Sequence, residues 1–248
     1  MNGPPEILTS PLLERFQHGF TTRAGGVSQG PYQSLNLGES VGDDPACVAE
    51  NWARLRRACG LDFARLRQVH GNRVVRAERA GPPLDEADAV VTGAPGIAAC
   101  VSVADCVPVL LADPATGAVA AVHAGWRGTL SGVAREAVRA LVEAHGARPD
   151  GLLAAVGPAI GPCCYEVAPE LAQRFCDELG RPAANPSPAQ PRVDLWLANE
   201  VVLRRAGLRR ERVDLLRRCT SCEDRSFFSH RRDRGRTGRQ VAFIAPLS

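Results

Sequence analysis

The chain has 248 residues, 45% hydrophobic and 23% charged, a balance that supports a buried core and excludes the disordered and fibrous classes. Length alone leaves one large domain or two small ones open. Formal net charge is +3, but Val201–Ser248 carry thirteen arginines against five acids, a local +8 that leaves −5 over the first 200 residues.

Taken in chain order, Met1–Phe16 lacks a basic segment followed by an apolar run, so no secretory signal is read there. Asp44-Pro45 opens a helix, with an acid at the cap and proline at the first helical position. Val48, Trp52, Leu55 and Cys59 recur at helical spacing, and Gly60 ends the helix. Short β-like runs follow at Leu66–His70, Arg73–Ala77 and Ala89–Thr92. Two nearly continuous apolar strands, Ile97–Val103 and Val107–Ala112, are joined at Ala104-Asp105-Cys106. Asp113–Gly117 is a turn and Ala118–His123 the returning strand.

Gly125–Ala144 has helical periodicity closed by Gly146, and Leu152–Val156 reads as a buried strand. Helices are predicted at Pro169–Leu179 and Asp194–Ala206, with Asp194 as cap. Between them, Arg181–Arg192 is proline-rich and without periodicity, a surface loop rather than a domain linker. Strands return near Val213–Leu216, Phe227–Arg231 and Val241–Ile244. No apolar run approaches the ~18 residues of a membrane helix, so the expectation is a cytoplasmic protein without membrane contact. The irregular alternation predicts an α+β fold, mixed β-sheets packed between flanking helices, as one domain over residues 1–248. No GxGxxG follows a strand, which leaves a nicotinamide-binding fold without support.

Nine cysteines without a secretory signal are expected as thiols, metal ligands or core fillers rather than disulfides. Cys219-Thr-Ser-Cys222 is a lone CxxC. Adjacent Cys163-Cys164 make poor paired ligands, so no second metal is expected from these four. All thirty basic residues are arginine, which removes Walker-A lysine, Schiff-base and lysine-base mechanisms but keeps bidentate phosphate and carboxylate recognition. The basic C-terminal segment lacks interleaved aromatics, so it reads as a solvated face with a few substrate contacts, not as a nucleic-acid surface.

Three places carry chemistry: Gln68-Val-His70-Gly71, Ala104-Asp105-Cys106-Val-Pro108 and His123-Ala-Gly125-Trp126-Arg127-Gly128. Each places a histidine or cysteine at a strand end beside glycine or proline. Separations of 36 and 17 residues do not match a zinc finger, where ligands come in close pairs; they suit a site assembled from separate strands. Two imidazoles and a thiolate suit zinc and leave a fourth position open. The same residues would also serve a cysteine hydrolase or amidase, with Cys106 as nucleophile and His123 or His70 as base.

Motifs in one order along nearly the whole chain resemble the YfiH/LACC1 family, also called the polyphenol-oxidase or peptidoglycan-editing-factor family. They include Phe20-Thr-Thr-Arg23-Ala-Gly-Gly-Val-Ser28, Asn36-Leu-Gly38, Ala87-Asp88, Gly157-Pro-Ala-Ile-Gly161, Tyr165-Glu166-Val167, Phe228-Ser229-His230-Arg231 and Thr237-Gly-Arg-Gln240, beside the three above. His230 departs from the tyrosine of the family pattern. The resemblance implies metal ligands His70, Cys106 and His123, with Zn2+ as the ion and Cu2+ able to occupy the same donors. It also implies purine nucleoside phosphorolysis, with adenosine, inosine and methylthioadenosine as substrates alongside phosphate, and adenosine deamination as a second activity. Asp105 would move protons, Arg23 and Arg231 would hold phosphate, and Gln68 and Asn36 would contact base or ribose. The family names add two alternatives. One is copper-dependent phenol oxidation, although five unpaired histidines are too few for a multicopper laccase. The other is a peptidoglycan-precursor editing role.

Overall fold

The computed structural model describes residues 3–81, 83–187 and 189–247. In chain order it contains β1 (Ile7–Leu8), β2 (His18–Thr21), α1 (Pro45–Cys59), β3 (Asp62–Ala64), β4 (Val74–Arg76), β5 (Ala89–Thr92), β6 (Ile97–Val103) and β7 (Val107–Ala112). There follow β8 (Val119–Ala124), α2 (Trp126–Ser131), α3 (Val133–His145), β9 (Leu153–Val156), α4 (Pro169–Leu179), β10 (Ala184–Asn185), β11 (Arg192–Val193), α5 (Leu195–Arg205), β12 (Val213–Leu215) and β13 (Gln240–Ile244).

Two mixed sheets carry the fold. One runs β1-β2-β13-β6-β3, the other β12-β9-β7-β8-β5-β4, and β10-β11 form a separate two-stranded ribbon. Period-two alternation explains why their central strands look uniformly apolar: both faces of each are covered. In β6, Ala98 and Cys100 face a core with Val48, Trp52 and Leu55 of α1, whereas Ala99 and Val101 face the other sheet. In β7, Leu110 and Ala112 join that inter-sheet layer. Val109 and Leu111 instead meet Val133, Ala137 and Leu141 of α3, Phe175 of α4 and Leu203 of α5. The order is therefore helix, sheet, sheet, helices, an α+β fold with mixed sheets between flanking helices, as the sequence predicts. Each buried Leu or Phe contributes ~1.5–3 kcal/mol, and a one-residue slip would exchange the two cores, so the register is strongly specified.

The predicted helices at 45–59 and 169–179 match. Asp44 and Asp194 act as side-chain caps, accepting from the Ala46 and Leu197 N–H groups at 2.8 and 3.0 Å. Several expectations need correction. The predicted helix over 125–144 is two helices, because Gly132 sits at φ +78 and breaks the backbone between α2 and α3. Leu66–His70 and Phe227–Arg231 are not strands. In both, a glutamine side chain replaces a neighbouring strand. The Gln68 amide donates to the Ser102 carbonyl and accepts from its N–H, both at 2.7 Å. Gln240 does the same for the backbone of Phe228, at 3.2 and 3.0 Å. The 181–192 segment, Pro188 lying outside the described residues, includes β10 and the start of β11 rather than unbroken loop. Strands β1, β2 and β3 have no counterpart in the sequence reading. No helix among the described residues is long and apolar enough to cross a membrane.

Candidate metal centre

Strand register assembles the site. β5 and β8 pair antiparallel with Ala89 opposite Val122, which sets Asp88, one residue before β5, against His123; the His123 N–H donates to the Asp88 carbonyl at 2.7 Å. β7 and β8 pair with Val107 opposite Ala124, so Cys106, just before β7, falls beside the end of β8. Although β6 and β7 read as adjoining strands, they belong to different sheets. The chain crosses from one to the other over Ala104-Asp105-Cys106, with Asp105 at φ +85. The crossing turns Cys106 and Asp105 into a cleft instead of burying them in a hairpin.

His70 arrives by a different device. The Asp88 carboxylate, fully buried, accepts from the backbone N–H groups of Val69, His70 and Gly71 at 3.2, 2.9 and 2.7 Å, and from His123 Nδ1 at 2.7 Å. It thus folds the 69–71 segment over the end of β5 and fixes the His123 ring, leaving Nε2 as the ring nitrogen that faces the site. His70 itself sits at φ +60, a left-handed conformation that costs a non-glycine residue ~1–3 kcal/mol and persists only where surroundings impose it. Asp88 was quoted in the sequence only as part of a motif. The signal for its role is an acid immediately before the buried strand Ala89–Thr92.

The donor atoms of His70, Cys106 and His123 all lie within 4.8 Å of one another, and the two imidazole rings stand 4.8 Å apart at 78°. Tetrahedral zinc, with Zn–N near 2.0–2.1 Å and Zn–S near 2.3 Å, asks for donor separations of about 3.3–3.6 Å, inside that limit. The residues fit the ion. Burial pushes the Cys106 thiol up, but the charge of His123 and hydrogen bonds from His123 and His70 outweigh it and bring the pKa to about 6. Burial likewise works against protonated His123, yet the Cys106 charge and the Asp88 hydrogen bond raise it to about 9. Without metal, thiolate and imidazolium therefore stabilise each other; a dication serves the same thiolate and takes the proton's place on His123.

Gly125, the residue before α2, shows how closely the backbone backs onto this trio. A Cβ there would lie 3.0 Å from Cys106 Sγ and 3.2 Å from His70 Cδ2. Gly125→Ala is therefore expected to displace one ligand and weaken metal binding by roughly tenfold or more, an effect of the size seen when supporting residues around a metal are changed. Its φ of −70 is open to alanine, so the thermal stability of the metal-free protein should stay nearly unchanged. Competition against a chelator, with and without the substitution, measures the difference.

A cleft of about 1050 Å³ opens over the trio and is lined, among others, by Gln68, Asp105, Tyr165, His230, Arg231 and Arg239. Asp105, nearly buried, accepts from Thr220 Oγ1 and from the Arg231 N–H, both at 2.6 Å. Arg231 also donates to the Glu166 carbonyl and lies over the Tyr165 ring. Gln68 lines the cleft, but both ends of its amide hold Ser102. Arg23 and Asn36 are not among the lining residues. Arg23 donates to the Gln33 and Asp224 carbonyls and lies over Phe228. Asn36 is fully buried, accepting from the Gly38 and Arg239 N–H groups and donating to Asp43. Its link to the cleft is through Arg239, which sequence reasoning did not single out. His230, where the family pattern has tyrosine, lines the cleft without joining the converging donor atoms.

Residues 17–246 match the sequence model of the family described as multi-copper polyphenol oxidoreductase laccase. The purine nucleoside phosphorylase of Deinococcus radiodurans is 46% identical over 96% of this chain and 92% of its own length. The purine nucleoside phosphorylase YlmD of Geobacillus stearothermophilus is 40% identical over 91% of this chain and 88% of its own. The crystal structure of the Bacillus licheniformis hypothetical protein YfiH superposes with a TM-score of 0.92 at 32% identity, covering 99% and 98% of the two chains. Similarity of sequence over nearly the full length and of backbone over two stacked mixed sheets agree with the motif order, and this chain belongs to the YfiH/LACC1 family.

Proposed function

We propose that the chain is a metal-dependent purine nucleoside phosphorylase, with adenosine deamination as a second activity in the same cleft. The observation that carries the reading is the His70–Cys106–His123 trio, at the floor of a cleft whose rim is arginine-rich. Relatives named purine nucleoside phosphorylases, 40–46% identical, supply the reaction class. When bound, zinc would supply Lewis acidity toward the purine or toward a water molecule.

The chain's own residues supply the rest. Asp88 keeps His123 in one tautomer and His70 in place. Phosphorolysis breaks the N-glycosidic bond as a phosphate oxygen bonds to C1′; the purine leaves with the electron pair and takes up a proton. Phosphate needs positive charge that is not already spent. Arg65 and Arg67 line the cleft but pair with Glu39 and Glu86. Among the described residues, Arg231 and Arg239 line it without a carboxylate partner. Burial pushes Arg239 below its usual pKa, so an anion beside it would recover part of its lost solvation. We assign phosphate to these two, in place of Arg23. Asp105, next to Cys106 and open to the cleft, is the group placed to hold or pass a proton.

Given adenosine and phosphate, the metal-loaded protein is expected to release adenine and ribose 1-phosphate, and without phosphate to form inosine. Arg239→Gln should raise the KM for phosphate by ~10-fold or more, the cost of a charge-assisted contact, while leaving deamination nearly intact. Equal loss of both activities would remove the phosphate assignment. One geometric feature favours a rival: Asp88, His123 and Cys106 are arranged as in a cysteine-hydrolase triad. Two imidazoles converging on one sulphur, however, exceed what a triad uses. Amide hydrolysis by metal-free protein, with no nucleoside turnover by the loaded form, would decide for the hydrolase.

The copper-oxidase reading finds less support. Among the described residues the groups able to hold a metal are this trio and one cluster of cysteines, not the multi-histidine array of a multicopper laccase.

A further inference from the structure

The turn Gly161–Tyr165 and the turn Cys219–Cys222 meet at the surface beside the cleft. The sequence argues against a metal here because Cys163 and Cys164 are adjacent. That objection holds for a strand, where successive side chains point to opposite faces. In this structure the pair lies in a tight turn, with the Cys164 and Tyr165 N–H groups both donating to the Gly161 carbonyl at 2.9 Å, and both sulphurs face Cys222. Cys163 Sγ and Cys164 Sγ lie 3.5 and 3.4 Å from Cys222 Sγ, and all four sulphurs of Cys163, Cys164, Cys219 and Cys222 lie within 4.8 Å of one another.

We propose that these four cysteines hold a second, structural zinc ion as a tetrathiolate site. Three observations carry this. A tetrahedral centre with Zn–S near 2.3 Å sets sulphur–sulphur edges of about 3.8 Å. The contacts here are close to that value and far above the ~2.05 Å of a disulfide. The Gly161 N–H donates to Cys219 Sγ at 3.2 Å, the kind of backbone donor that stabilises a metal-bound thiolate. Arg192, donating to the Pro162 and Cys163 carbonyls at 3.2 and 2.8 Å, places a positive charge against the loop that would bear the site's excess negative charge. Four thiolates and no histidine or carboxylate close the coordination shell, which makes the site structural rather than catalytic.

Its position gives it a task. Backbone bonds tie Ala159 to Arg218 and Thr220, at 3.1 and 3.0 Å, and the Ile160 N–H to the Asp105 carbonyl at 2.9 Å. The Thr220 hydroxyl holds the Asp105 carboxylate, and Tyr165, beside Cys164, lines the cleft. An ion joining the two turns would therefore clamp the support of Asp105 while touching no substrate.

The test uses full-length protein purified under reducing conditions without added metal. Wild type is expected to carry about two zinc ions per chain, one per donor cluster. Cys106→Ala should lose one and keep the other, and the Cys163→Ser/Cys222→Ser double variant should show the converse. Cobalt reconstitution of Cys106→Ala, which needs no change in the cluster, should give the intense sulphur-to-metal bands of tetrahedral tetrathiolate cobalt. Cys106→Ala that binds neither zinc nor cobalt would overturn the proposal. So would a denatured, non-reduced mass showing a disulfide among these cysteines in freshly isolated protein. Because the readout is metal content in a protein that lacks the catalytic thiolate, it stands or falls separately from the phosphorylase reading.

Discussion

Asp88→Ala is expected to cost about 3–5 kcal/mol of stability in the metal-free protein, the penalty for removing one partner of a buried charged pair. Metal affinity should fall by about 10–100-fold as well. The carboxylate accepts four hydrogen bonds, three from consecutive backbone N–H groups and one from His123, so its loss strands donors in two separate ligand segments. Asp88→Asn separates the two effects. It keeps the volume but offers one acceptor oxygen where two are used, and should fold while binding metal less tightly. Burial works to raise the Asp88 pKa, but the bonds from His123, Gly71 and His70 hold it below the ordinary 3.8. A group depressed in the folded state stabilises fully above its unfolded value and ceases to do so as pH falls through the folded one. Chemical denaturation between neutral pH and pH ~3 should therefore show an acid-side loss in wild type that is smaller in Asp88→Asn. Unchanged metal affinity in both variants would show that Asp88 only completes the fold.

The convergence of His70, Cys106 and His123 was legible because its chemistry is carried by residue type and its placement by strand ends. Histidine and cysteine beside glycine or proline, at the ends of apolar runs, remain visible without knowing how the sheets stack. The α+β class was legible for the same reason, since Ile97–Val103 and Val107–Ala112 reproduce β6 and β7 residue for residue. What the sequence hid was three-dimensional exchange of roles. Gln68 reads as a contact to base or ribose but holds the backbone of Ser102, and Gln240, quoted only within a motif, begins β13 and holds the backbone of Phe228. Arg23 and Asn36 lie in motifs, yet Arg23 spends its guanidinium on backbone carbonyls and Asn36 its amide on backbone N–H groups and the Asp43 carboxylate. Arg239, which Asn36 positions, reaches the cleft instead. The four cysteines stand out in the sequence, where the adjacency of Cys163 and Cys164 argues against a shared ion; their meeting depends on two turns 58 residues apart, and the turn brings both sulphurs to Cys222.

If the proposed reading holds, Cys106→Ala is expected to abolish metal binding at the His70–Cys106–His123 trio and lower nucleoside turnover by roughly 10³-fold or more, since ~4 kcal/mol of Lewis-acid stabilisation corresponds to about that factor. The thiolate is the donor that makes the trio selective for a soft ion; two imidazoles alone hold zinc weakly. The same sulphur gives an independent readout in wild type. Metal-free protein holds Cys106 at about 6 instead of the ordinary 9.0, so alkylation at this position should rise with pH through about 6 and be nearly complete as thiolate at neutral pH. The sign follows from the pair: below about 6 the sulphur takes a proton and reactivity falls, and above about 9 His123 loses its proton and its attraction for the thiolate weakens. Zinc should protect Cys106 across that range, as shown by peptide mapping that separates it from the exposed Cys163 and Cys222. A Cys106 that alkylates equally fast with and without zinc would mean the sulphur is not a ligand. Turnover retained in Cys106→Ala would remove the trio from the reaction altogether.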